Sequence, residues 1–132
     1  MNEIAILKVM LGVAYSEGYF DFNDLTKGLN RPQRNNNPGD LRGWPGYPMD
    51  GGRFSKFPDA PTGWSRLRCN IYNHALTYRN HTLLDWIGGK SEDNWPGYAP
   101  ATEGNDPVAY SATVAKFVGC SPDDTLYSII YG

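Results

Sequence analysis

The chain has 132 residues, which suits one domain built around one core. With 40 % hydrophobic and 14 % aromatic residues it has the composition of a folded protein and not of a disordered one. A net charge of −2 without any basic run leaves no electrostatic footprint for nucleic acid, and no apolar run approaches the ~20 residues that span a bilayer. Two cysteines, Cys69 and Cys120, make no disulfide framework; in apolar helical surroundings they read as free buried thiols. Two histidines, His74 and His81, lie seven apart without an HExxH or Cys/His pattern, so neither a metal nor a cofactor is expected. The first residues, Met-Asn-Glu-Ile, lack the basic start of a secretory signal.

In chain order, residues 2–16 predict a helix, with Ile4, Leu7, Leu11 and Ala14 recurring at three and four residues and Gly18 as its stop. At roughly 100° per residue Glu17 falls between Ile6 and Met10, inside the apolar arc. A carboxyl held there is partly desolvated, so its pKa rises and it stays protonated near neutrality, the state a proton donor to a glycosidic oxygen needs. The alternative is a frayed glutamate pointing to water, although a helix C-terminus is the unfavourable end for an anion.

Residues 27–32 read as loop, and Arg34-Asn35-Asn36-Asn37-Pro38-Gly39-Asp40-Leu41-Arg42 as a turn. Proline presets φ at its second position and glycine accepts a positive φ at the third, the type II pattern. A fan of amide side chains offers the mixed donors and acceptors that sugar hydroxyls and acetamido groups require. The competing reading is that the asparagines only bind their own backbone. Residues 41–44 and 53–57 are then expected to pair across an Asp50-Gly51-Gly52 turn, with aromatic residues set among glycines.

The longest helix is expected near residues 64–79, with Trp64, Leu67, Ile71, Ala75 and Tyr78 on one face and His74, structural or at the surface, at its edge. Thr82 and Asp85 form a capping-box pattern for a helix at residues 83–87. Asp106-Pro107 opens another that runs to Val118 and stops at Gly119, and Ser121-Pro122-Asp123-Asp124 opens the last. Leu7, Leu11, Leu67, Ile71 and Val114 are the expected core.

The order of these features carries a resemblance. A helix ending in Glu17-Gly18 is followed by the triple-asparagine turn, a Gly/aromatic stretch closing on Phe54-Ser-Lys-Phe57, and Gly63-Trp64 leading a helix. Then come Tyr98-Ala99-Pro100 with Glu103 and Asn105, a helix carrying Tyr110, and a Gly119-Cys120-Ser-Pro-Asp-Asp-Thr-Leu126 ending. Together they resemble the small lysozyme-like muramidases of bacteriophages, prophages and bacterial genomes. The resemblance implies a mainly α, lysozyme-like domain of five or six helices with a small β-hairpin or loop lobe near residues 41–57. Its implied partner is the glycan strand of peptidoglycan, cut at the β-1,4 bond between N-acetylmuramic acid and N-acetylglucosamine by hydrolysis or by lytic transglycosylation. Glu17 takes the position of the catalytic acid, and Asn36, Asn37, Tyr98, Glu103 and Asn105 take substrate-binding positions. Asp40, Asp50 and Glu103 are the candidates for a second carboxylate. The implied protein is a monomer, made without a signal peptide, that reaches the wall after release or in a phage particle. Two other readings stand beside it: a non-catalytic glycan-binding or virion module on the same scaffold, and a cysteine peptidase using Cys69 with His74 or His81.

Overall fold

Asn2 starts the first helix by accepting the Ala5 amide on its side-chain oxygen, and Gly18, at φ 82°, ends it. The structure, a computed structural model, describes residues 1–132. Its six helices are α1 (Glu3–Ser16), α2 (Arg31–Arg34), α3 (Ala60–Thr77), α4 (Leu83–Gly88), α5 (Pro107–Val118) and α6 (Leu126–Tyr131). The strands β1 (Met49–Asp50) and β2 (Phe54–Ser55) form one small antiparallel sheet. The chain is mainly α with a small β lobe, as expected, and no helix is long and apolar enough to cross a membrane.

α1 buries Ile6, Val9, Met10, Val13 and Ala14 against α3, α5 and α6, while Ile4 and Leu7 are exposed and Leu11 is half-buried. The expected stripe of Ile4, Leu7 and Leu11 is therefore corrected. Almost every position of this helix is apolar, so periodicity cannot choose between its faces. Close approach chooses: a Cβ on Gly12 would lie 2.9 Å from the Val114 Cα of α5. Glu17 lies four residues beyond Val13 and continues the buried face. The remaining core comes from Leu67 and Ile71 of α3, Leu83, Trp86 and Ile87 of α4, Val114 of α5, and Leu126 and Ile130 of α6, all fully buried.

Three element boundaries differ from expectation, each because of a cap. α2 forms inside the expected loop, since Asn30 and Gln33 make a reciprocal capping box around Pro32. α3 begins at Ala60, because Asp59 accepts the Thr62 amide at 2.8 Å with Pro61 in the first turn. α6 begins only at Leu126, capped by Thr125, while Asp124 folds back on the Ser121 amide at 2.9 Å. The Thr82/Asp85 capping box and the Asp106-Pro107 start form as read. Both cysteines are free thiols.

In the β lobe, Gly51 and Gly52 both have positive φ and turn the chain from β1 to β2, with the Arg53 amide closing on Asp50 O at 3.2 Å. The expected pairing of Leu41 and Gly43 with β2 also occurs, through Ser55 N to Leu41 O at 2.9 Å and Gly43 N to Arg53 O at 3.0 Å. The asparagine turn has another geometry than type II. Its Asp40 amide closes on Asn37 O at 2.9 Å, and the left-handed residues are Asn36 (φ 50°) and Asp40 (φ 49°), not Gly39. Gly39 is needed for space: a Cβ there would come within 2.6 Å of Leu67 and 2.7 Å of the Tyr98 hydroxyl. Gly63, in the first turn of α3, lies even closer, with its Cβ position 1.8 Å from Asn36 O.

Asn37 joins the turn to the β lobe. Fully buried, it donates to Leu41 O at 2.9 Å and Ser55 O at 3.0 Å and accepts the Leu41 amide at 2.8 Å. Asn37→Ala strands the buried Leu41 amide and Ser55 carbonyl and removes one of the two donors to Leu41 O, and urea denaturation is expected to show a loss of about 3 kcal/mol.

Candidate active site

A cleft of about 390 Å³ runs between the β lobe and the segment joining α4 to α5. Glu17 reaches it from the end of α1, Arg31 from α2, and Gly39, Asp40, Leu41 and Arg42 from the asparagine turn. Trp44, Arg53 and Phe54 line the β-lobe side, and Trp95, Tyr98, Glu103 and Asn105 the opposite wall. The structure thus brings Glu17, Tyr98, Glu103 and Asn105 to one surface.

The Glu17 carboxyl accepts a hydrogen bond from the Tyr110 hydroxyl, which meets Oε2 at 2.7 Å. Its pKa is raised to about 7, with burial as the largest influence and the nearby charge of Asp40 acting in the same direction. Tyr110, Arg31 and Arg42 pull the other way by favouring the carboxylate. Tyr110 is buried, and its phenol pKa is pushed well above the usual value, first by burial and then by the charge on Glu17. It therefore remains a donor. Glu17 is accordingly poised between acid and base near neutrality, the condition for moving a proton in either direction.

Asn36 and Asn37 are corrections, because neither faces Glu17. The Asn37 amide is engaged on three backbone groups, and Asn36 Nδ2 donates to Phe57 O at 3.2 Å. Asn35, also buried, donates to Asp50 at 3.1 Å. All three amides bind the turn to residues 41–57, so the structural reading of the motif holds. Tyr98 lines the cleft but is held there: its hydroxyl donates to the Gly39 carbonyl and its ring packs 5.3 Å from Trp86. Asn105 borders the same wall and donates to Pro100 O at 3.3 Å.

Of the candidate second carboxylates, Asp50 lies outside the cleft lining, bound by Arg34 and Asn35. Asp40 takes a bidentate grip from Arg31, with Nη2 at 2.5 Å. Glu103 is held by Arg42 and Arg53. Both carboxylates that share the cleft with Glu17 are thus engaged by arginine.

Sequence reasoning did not assign roles to Tyr110, Arg31, Arg42 or Arg53. Tyr110 lies 93 positions from Glu17, so only the docking of α5 on α1 makes it a partner. The arginine of the turn, Arg42, was visible as part of the motif, but its carboxylate comes from 61 positions away.

Comparison with protein-family models, curated proteins and solved structures finds no match to this chain. No group of three or more His, Cys, Asp or Glu side chains is placed to hold a metal ion. Cys69 makes its contact with the Tyr72 hydroxyl at 3.5 Å, and His74 bonds His81 instead. His81 in turn meets Asp93 at 2.7 Å. Burial, then the neighbouring His81, lowers the His74 pKa to about 4. The cysteine-peptidase pairing therefore has no Cys–His hydrogen bond to rest on.

The raised pKa of Glu17 has a consequence for stability. The folded state favours the protonated carboxyl, so this contribution is complete below the ordinary pKa of 4.5 and is lost as pH rises through about 7. Glu17→Gln does not ionise, and its amide oxygen can still accept from Tyr110. Relative to wild type the variant should gain about 3 kcal/mol between pH 4 and pH 8, measured by urea unfolding across that range.

Proposed function

We propose that the protein cleaves the glycan strands of peptidoglycan on a lysozyme-like scaffold, with Glu17 as the general acid. The observation that carries this reading is the largely buried Glu17 carboxyl, pKa about 7, in a cleft lined by aromatic and hydrogen-bonding side chains. The order of motifs along the chain supports the same reaction. A cleft lined by Trp44, Phe54, Trp95 and Tyr98 offers ring faces on which pyranose rings can stack.

Protonated Glu17 donates to the oxygen between N-acetylmuramic acid and N-acetylglucosamine as the bond to C1 breaks and an oxocarbenium-like centre develops. The resulting Glu17 carboxylate is stabilised by the Tyr110 hydroxyl and by Arg31 and Arg42 nearby. With Asp40 and Glu103 both bound by arginine, Glu17 is the carboxylate best suited to the second step as well. Acting then as base, it takes the proton of the attacking hydroxyl while the oxygen bonds to C1, and the acid is regenerated. Attack by the muramoyl C6 hydroxyl gives a 1,6-anhydro end, the lytic transglycosylase outcome. Attack by water gives a reducing end. The engagement of the other carboxylates favours the anhydro product, which product analysis on purified walls distinguishes directly.

Glu17→Gln should lower wall clearing by about 10²–10⁴-fold while the protein remains folded, since the amide keeps the packing and loses the acidic proton. Clearing at the wild-type rate by this variant would show that Glu17 is not the acid, and failure of both proteins to clear walls would leave a non-catalytic glycan-binding module as the reading. Wild-type activity should fall with pH above about 7 as Glu17 ionises. Tyr110→Phe removes a bond that favours the carboxylate, so the alkaline limb of the profile should move to higher pH.

A further inference from the structure

The Phe54 ring, at the mouth of the cleft, is surrounded by three guanidinium groups. Arg31 lies 3.5 Å from its centroid, Arg53 5.4 Å and Arg42 5.7 Å. Only two carboxylates answer these three charges, although the chain as a whole is acidic. The three arginines are not equally engaged. Arg31 grips Asp40 through Nε and Nη2, and Arg42 grips Glu103 through Nη1 and Nη2. Arg53 places only Nη2 on Glu103, on the oxygen that Arg42 also uses, and makes no other protein hydrogen bond through its side chain. Its side chain is 50 % exposed and lines the same cleft as Glu17. Set beside the Phe54 ring and tied at one edge to a carboxylate it shares with Arg42, it presents an oriented fork with unused donors and a charge only partly compensated. A planar fork of that kind matches a carboxylate.

We infer that Arg53 binds a carboxylate carried by the glycan strand, giving the cleft a preference for acidic over neutral sugar polymers. This rests on the glycan reading above and adds to it the chemical class of the group recognised and the residue that recognises it. Two parts of peptidoglycan supply a carboxylate: the lactyl group of muramic acid, where no peptide is attached, and the stem peptide where one is.

Binding can be measured without turnover by calorimetry on Glu17→Gln, with and without Arg53→Gln. Three soluble strand preparations separate the cases: amidase-stripped strands with free lactyl carboxylates, peptide-bearing strands, and stripped strands whose lactyl groups are capped as methylamides. The expected result is tighter binding of a carboxylate-bearing strand than of the capped one, by about 10- to 100-fold. Arg53→Gln should abolish that preference while leaving capped-strand affinity and thermal unfolding unchanged, and Arg53→Lys should keep part of it. Loss confined to stripped strands identifies the lactyl carboxylate, and loss confined to peptide-bearing strands identifies the stem. Equal weakening of all three strands by Arg53→Gln, or no weakening, overturns the assignment to Arg53 and leaves the glycan reading standing. Failure of all three strands to bind either protein overturns both.

Discussion

The close crossing of α1 and α5 is the contact on which the cleft depends. Gly12 lets the helices meet where any side chain would strike the Val114 backbone, and the contact selects which apolar face of α1 is buried. Glu17 extends that face, and α5 presents Tyr110 to it. A carboxyl on the opposite face would share the environment of exposed Ile4 and Leu7 and would titrate as an ordinary glutamate. The chemistry of Glu17 thus follows from a steric choice made five residues earlier in the chain.

The asparagine turn forms a second rigid piece, and its amides work inward. Asn35 reaches Asp50, Asn36 reaches Phe57 O, and Asn37 holds Leu41 and Ser55, so one short motif organises most of a lobe with only two short strands. So small a sheet has few ladder bonds of its own, and side-chain amides supply what the ladder lacks. The turn also meets both neighbouring walls at van der Waals limits, with Gly39 under Tyr98 and Leu67, and Gly63 under Asn36. Its placement fixes one side of the cleft, which is how a motif without a single asparagine in the lining still shapes the site.

The charges divide by environment. Asp40 and Glu103 are matched to arginines, whereas Glu17 is buried with a hydroxyl as its only direct partner and holds its proton to about pH 7. Arginine can bind a carboxylate through two parallel donors, which neutralises its reactivity as well as fixing its position. The hydrogen-bonded run of His74, His81 and Asp93 ties α3 to the loop beyond α4 and packs His74 4.5 Å from Trp95 of the cleft wall.

What the sequence by itself determined was local. Helix starts are visible where one side chain closes on an amide three residues away, as at Asn2, Thr82 with Asp85, and Asp106-Pro107, because such bonds need no tertiary partner. The same cue exists at Asn30 with Gln33, where a loop-like composition masks the capping box. The place of Glu17 on the α1 wheel was likewise legible, since helical rotation is a property of the backbone. The burial of one face over the other was not, because α1 is apolar nearly all round and only the partner helix breaks the tie. Nor could residue type alone say that Asn37 turns inward or that Arg42 and Arg53 meet Glu103. An asparagine amide serves a backbone carbonyl as well as a sugar, and an arginine carries no mark of which distant carboxylate it will find. Those pairings were decided when the lobe, the turn and the helices packed, since each joins segments that come within hydrogen-bond reach only in the folded chain.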